Sequence, residues 1–209
     1  QLANTSLNPQ LLLILALIVA GVFGALLSLL HAFAAINLKA DQTISGTAIN
    51  MLAPGLGLFL AKLIFNGNSS VPFSNTFRIH EIPVLSQIPI LGPILFKGAY
   101  ITTYLGIVIL ILSVIFLNKT KAGLRLRACG ENPQAADAAG VSVYKYRYTG
   151  VLLSGFLGGI GGLIYIIPIS TVFNSDVGGY GFLALAILIF GNWQPYRIAA
   201  ASLFFGIMK

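Results

Sequence analysis

Residues 11–30 read LLLILALIVAGVFGALLSLL, twenty consecutive residues without a charge. A helix rises ~1.5 Å per residue, so this run matches the ~30 Å hydrocarbon core of a bilayer. Asn4, Thr5, Ser6, Asn8 and Pro9 precede it, and His31, Asn37, Lys39 and Asp41 mark a polar connector at 31–43. Three further runs, 44–65, 98–117 and 149–168, have similar length and apolarity. The whole composition agrees: of 209 residues 57% are hydrophobic and only 8% are charged, with a mean hydropathy of +0.91. A soluble domain carries about 25% charged residues. With so few, the chain cannot cover a water-facing surface. The expected fold class is therefore all-α, a polytopic transmembrane helical bundle forming one domain over 1–209. The chain begins at Gln1 rather than Met and stops at Met208-Lys209 directly after an apolar run, so it reads as truncated at both ends.

Working outward, the second run is interrupted by Asn50, Pro54, Gly55 and Gly57, and its Lys62 is near enough to an end to snorkel. Residues 66–97 hold four of the nine prolines (Pro72, Pro83, Pro89 and Pro93) and read as an irregular loop with a short amphipathic piece on the membrane. Residues 169–181 are a polar, glycine-rich connector. Residues 182–190 are apolar but too few to span; Gly191-Asn192-Trp193-Gln194-Pro195 breaks the run, and 198–208 resumes it. The net charge is +7, and half of the twelve Lys and Arg fall within 119–147. A basic loop beside apolar spans marks the cytoplasmic side. That puts 118–148 and 31–43 inside, and Gln1 and 66–97 outside. Membrane lipid is the expected surroundings, and nucleic acid is not an expected partner. The single Cys129 excludes an intrachain disulfide, and no His lies near it in sequence.

Within the basic loop, residues 132–140 carry their own start and stop signals. Asn132 is a good N-cap, and Pro133 falls at the first helical position, where its missing N–H costs nothing. Gln134 to Ala139 are mostly helix formers, and Gly140 suits the left-handed close. Two turns are not stable alone in water. Such a helix points to docking against a partner.

Absences narrow the chemistry. There is no G-x-x-x-x-G-K-[ST] phosphate loop. His31 and His80 are far apart and read as interfacial and unpartnered, so no metal site and no catalytic residue is expected. The only ionisable residue well inside a run is Lys62. Ion-driven transporters usually hold such groups within their spans; an ion-coupled secondary transporter is disfavoured, and the energy is expected from elsewhere. Uncharged polar groups do occur in or near the spans. Thr47, Asn50, Asn192 and Trp193 are the candidates for a solute pathway, with bonding between helices as the alternative. Gly155 with Gly159, and Gly158 with Gly162, lie at i, i+4, which suits either close helix packing or space for a permeant.

Arg127-Ala128-Cys129-Gly130-Glu131-Asn132-Pro133-Gln134-Ala135-Ala136, continuing to Gly140-Val141, resembles the cytoplasmic loop of ABC importer permeases of the ribose, branched-chain amino-acid and nucleoside type. The run from Phe182 to Pro195, with Phe190-Gly191-Asn192-Trp193, looks like the later "ALA…IFGNW…P" run of the nucleoside and simple-sugar branch. Gly46-Thr47-Ala48-Ile49-Asn50 is similar to a further run of that branch, so the resemblance covers roughly residues 10–208. It implies a permease that carries nucleosides, with simple sugars next, across the cytoplasmic membrane of a bacterium by alternating access, and does no covalent chemistry. It implies that 132–140 is a coupling helix, with Arg127, Gly130, Glu131, Asn132, Pro133, Ala135, Ala136 and Gly140 as the ATPase-coupling residues. ATP and Mg would be bound by a partner ATPase subunit, with no cofactor in this chain. The other implied partners are a second permease subunit, identical or different, and an extracellular or periplasmic solute-binding protein.

Overall fold

The computed structural model describes residues 9–72, 100–169, 172–173 and 175–208. In chain order the elements are α1 (Pro9–Ala32), which runs into a π-helical turn at Phe33–Asn37, α2 (Gln42–Ile64), β1 (Val71–Pro72), α3 (Ile101–Lys119), α4 (Lys121–Glu131), α5 (Pro133–Ala138), α6 (Val143–Ile169), β2 (Val172–Phe173), α7 (Tyr180–Phe190) and α8 (Pro195–Ile207). Among the described residues four helices are long and apolar enough to cross a membrane: Gln10–Asn37, Gln42–Ile64, Ile101–Lys119 and Val143–Pro168. Among the described residues the fold is helical apart from a bridge residue at Tyr100 and the strands β1 and β2, a two-residue antiparallel pair that joins Val71 to Phe173 and Pro72 to Val172. The amphipathic piece expected in 66–97 falls largely outside the described residues. The chain divides into two compact units, Gln1–Leu105 with Val151–Ser175, and Gly106–Gly150 with Asp176–Lys209.

In the first unit the connector after α1 is much shorter than the 31–43 expected. Helical hydrogen bonding continues through the π-turn, with Leu38 N–H donating to Phe33 at 3.2 Å and Ala40 N–H to Ala34 at 3.0 Å. Asp41 then caps α2, accepting from Thr43 N–H at 2.7 Å and Ile44 N–H at 3.2 Å. These two amides hold its carboxyl below the usual carboxylate range. The charged cap therefore persists as the medium is acidified and is lost only when pH falls through that lowered pKa. His31 is not unpartnered, as its sequence position suggested: its Nδ1 lies 3.0 Å from Ser45 Oγ and ties α1 to α2. His80 lies outside the described residues.

The break expected in the second span does not occur. α2 runs unbroken through Pro54. Proline has no N–H, so the Asn50 carbonyl loses its usual i+4 donor, yet interrupting the helix at membrane depth would orphan more backbone groups than that one.

α1 and α6 meet through bare backbone. A Cβ added at Gly24 would overlap the Gly155 carbonyl oxygen and fall 3.0 Å from Gly159 Cα, one at Gly155 would strike Ser28, and one at Gly159 would strike the Ala20 carbonyl. Small residues permit this approach, and dispersion between closely packed helices stabilises it. Gly158 and Gly162 behave differently, because a Cβ on either meets nothing within 4 Å. The glycine pattern of α6 thus divides into a packed edge at Gly155 and Gly159 and an open edge at Gly158 and Gly162. Leu13, Ala20, Gly159, Gly162, Ile167 and Phe173 help to line a wholly apolar cavity of about 450 Å³ beside this contact.

Gly159→Leu is expected to lower the thermal midpoint in lipid nanodiscs, since overpacking a tight contact costs about 1–3 kcal/mol. Gly158→Ala should leave the midpoint unchanged.

Candidate functional site

The second unit builds the charged segment between α3 and α6. Thr120 ends one helix and starts the next: its Oγ1 donates to the Phe116 carbonyl at 2.6 Å and accepts from Gly123 N–H at 3.0 Å. Gly123 sits against the backbone of Phe116 and Leu117, where any side chain would clash. Only glycine permits so sharp a return. Residues 121–131, read from sequence as plain basic loop, are helical for that reason. Thr120 as an N-cap ahead of Lys121-Ala122-Gly123-Leu124 was the signal available for it.

α4 turns Gly123 and Cys129 inward, with Leu126 half-buried, and Leu126 Cδ1 lies 3.0 Å from where a Cβ of Gly150 would be. The Cys129 thiol is buried, 2% exposed. On its outward side Arg127 Nη1 donates to Asn118 Oδ1 at 3.2 Å, and Arg125 Nη1 to the Tyr146 hydroxyl at 3.4 Å. The hydrogen bond that Arg125 donates to Tyr146 raises its pKa above an already high value, so the guanidinium stays charged. α4 is thereby pinned to the end of α3 and the start of α6.

α5 follows after a single residue. Asn132 takes an extended conformation, and its Oδ1 accepts from Ala135 N–H at 3.0 Å; Pro133 is the first helical residue. At the other end Gly140 adopts φ +77°, its N–H donates to Asp137 at 2.9 Å, and Val141 N–H donates to Ala136 at 3.0 Å. This pair of bonds is the Schellman closure, which glycine in the left-handed region makes without strain. Ala136 is buried, Pro133 is half-buried, and Gly130, Glu131, Asn132, Gln134, Ala135, Asp137 and Gly140 are exposed. A six-residue helix is thus fixed at both ends while most of its surface is left uncovered.

The expected pathway residues fall in both units. Thr47 and Asn50 are exposed on α2; Thr47 Oγ1 donates to the Ile44 carbonyl at 2.9 Å, whereas the Asn50 amide has no hydrogen-bond partner among the described residues. Asn192 and Trp193 form the tip between α7 and α8, both in the left-handed region, with φ +48° and +59°. Their amides are satisfied by α7, Asn192 N–H by Ile189 at 2.9 Å and Trp193 N–H by Leu188 at 3.3 Å. Gly191 lies against the Ile198 backbone, where a Cβ would be 2.7 Å from Ile198 Cα, so the tip closes tightly. Among the described residues no group of three or more His, Cys, Asp and Glu is arranged to hold a metal ion.

Against this geometry the chain matches the family model described as "Branched-chain amino acid transport system / permease component" over residues 2–209. The chain belongs to that permease family. It is 48% identical over 196 residues to the guanosine ABC transporter permease protein NupQ of Bacillus subtilis, covering 93% of this chain and 61% of the relative. It is 46% identical over 194 residues to the nucleoside ABC transporter permease protein NupC of Lactococcus lactis, covering 92% and 61%. A putative glucose ABC transporter permease protein of Haloferax volcanii is 31% identical over 191 residues, covering 88% and 56%. The chain therefore spans about 61% of the length of its two more similar relatives here. No solved structure matches it. With four helices able to cross a membrane, this permease-family chain is a multi-pass membrane protein.

Asn132→Ala should remove the N-cap of α5 at a cost of about 1 kcal/mol. Hydrogen exchange would show faster exchange of the Ala135 amide, with the amides of α4 unchanged.

Proposed function

We propose that this chain is part of a membrane-spanning permease subunit that imports nucleosides, powered by a separate ATPase subunit. The observation that carries the proposal is α5, rigidly capped yet uncovered, in a chain 48% identical to a guanosine permease. A helix of this length stands only with help from caps and packing, and its open surface fits a groove on another protein. Arg127, Gly130, Glu131, Asn132, Pro133, Ala135, Ala136 and Gly140 form or flank the surface that would meet the ATPase. ATP and Mg belong on that partner in this reading, since the chain has no phosphate loop. The remaining partners are a second permease subunit and an external solute-binding protein. The orientation that suits them has α4 and α5 on the cytoplasmic side, where the basic residues concentrate. Nucleotide-driven motion of the ATPase would shift the balance of inward- and outward-facing states, and the solute would follow.

Nucleosides stand ahead of simple sugars because the relatives carrying the former name are more similar, 48% and 46% against 31%. A solute of either class needs hydrogen-bonding partners along its path. The cavity beside α1 and α6 has only apolar lining residues and cannot supply them. The polar positions Thr47, Asn50, Asn192 and Trp193 can.

Pro133→Ala combined with Gly140→Val is expected to weaken ATPase docking. A β-branched residue is strained at φ +77°, so the C-terminal closure opens. In the assembled transporter, co-purification of the ATPase and uptake of labelled guanosine should both fall while membrane insertion stays at the parental level. Unchanged docking and uptake would remove the coupling role. Competition of that uptake by unlabelled nucleosides and by glucose decides the substrate class, with nucleosides expected to compete and glucose not.

A further inference from the structure

α4 has two opposite sides. Gly123, Leu126 and Cys129 turn toward the protein. Lys121, Leu124, Arg125 and Ala128 stand at i, i+3, i+4 and i+7, which gathers them on the other side, and all four are exposed. Leu124 is 62% exposed, an uncovered leucine flanked on its own face by a lysine and an arginine. This pattern suits a helix at a membrane surface, where the leucine enters the acyl boundary and the long cations reach up to the headgroups.

Two contacts set the level at which this side stands. Gly123 lies against the backbone of Phe116 and Leu117, the last residues of the apolar run 98–117. Leu126 Cδ1 lies 3.0 Å from where a Cβ of Gly150 would be, at the start of the apolar run 149–168. The first two turns of α4 are therefore held at the hydrocarbon boundary of both flanking spans. Tyr144 and Tyr148, with ring centroids 4.9 Å apart, occupy the same end of α6, where aromatic rings collect at headgroup level. The charge at this level is of one sign. Lys119 closes α3 two residues before Lys121, and no acidic residue lies between Glu81 and Glu131. Neither lysine has a hydrogen-bond partner or an ion pair among the described residues. Arg125 donates to Tyr146 through Nη1, one nitrogen of a guanidinium that carries five N–H donors.

We propose that Lys119, Lys121, Leu124 and Arg125 form a docking surface for an anionic phospholipid, its headgroup phosphate on the three cations and its acyl chains over Leu124. Charge complementarity and level together name this occupant. The phosphate brings the negative charge that the chain lacks along this whole stretch, and the boundary position brings acyl chains to an exposed leucine. Each Lys or Arg near an anionic membrane surface adds to the attraction, which salt screens within about 10 Å. The surface is distinct from α5, and it depends on the chain's place in a membrane and not on the nucleoside reading.

The test uses the complete transporter in nanodiscs, with Cys129→Ala and a bimane label on Leu124→Cys. Brominated phosphatidylglycerol, as a minor fraction of the lipid, should quench the label severalfold more than the same fraction of brominated phosphatidylcholine. That preference should shrink as salt is raised from about 0.1 to about 1 M. Lys119→Gln combined with Lys121→Gln should remove most of it, and Arg125→Gln added to the pair should remove the remainder, with the ATPase still co-purifying. The salt titration is made on the native charges, so it reads the surface even where a variant fails to assemble. No quenching by either lipid would place the face away from the membrane and overturn the surface. Equal quenching by both lipids at low salt would overturn headgroup recognition. Loss of the ATPase from the double lysine variant, with the lipid preference intact, would make the ATPase the occupant of these cations and overturn the proposal.

Discussion

The constraint on which this structure depends is that hydrocarbon offers no hydrogen bonds to a backbone. Every amide at membrane depth must find its partner within the protein, so long helices are the available solution. The same requirement explains the irregular places. The π-turn after α1 keeps its amides engaged through Leu38 and Ala40, and α2 gives up one bond at Pro54 instead of several. Between α7 and α8, Asn192 and Trp193 accept left-handed strain, and their amides close back on Ile189 and Leu188. Departures from ideal helix are tolerated where the lost bonds are few or replaced.

Glycine does a second kind of work. Gly24, Gly155 and Gly159 let α1 and α6 approach through bare backbone, and Gly123 lets α4 fold back on the end of α3. The return at Gly123 matters most for the proposed function. It places α4 where Arg127 reaches Asn118, Arg125 reaches Tyr146, and Leu126 meets Gly150. α5 hangs from this braced helix by one residue and is closed at both ends. In the proposed function a push on α5 would reach the end of α3 and the start of α6 through these contacts.

Much of the fold was legible because apolar runs of bilayer length leave few alternatives to transmembrane helices. Span positions were readable to within a few residues for the same reason, apart from the end of the first, which continues to Asn37, and the start of the last long one. That helix begins at Val143, earlier than the apolar run, because Lys145 and Arg147 extend it past the hydrocarbon boundary. The signals at Asn132, Pro133 and Gly140 were local and could be read without neighbours. Residues 121–131 were harder, since their helix depends on a return at Gly123 that no periodicity reveals. Pro54 misled in the other direction: proline breaks a helix in water, but in hydrocarbon the neighbouring backbone has nothing else to bond.

By itself the sequence determined a multi-pass helical membrane chain, the location of its charged segment, and the local caps of α5, because each depends on hydropathy or on interactions within a few residues. Only the tertiary structure decided which glycines pack and which lie open, that His31 meets Ser45, and that α4 is braced to α3 and α6. These depend on which surfaces of different helices meet. Spacing along a chain records that a face exists, and only packing determines what it faces.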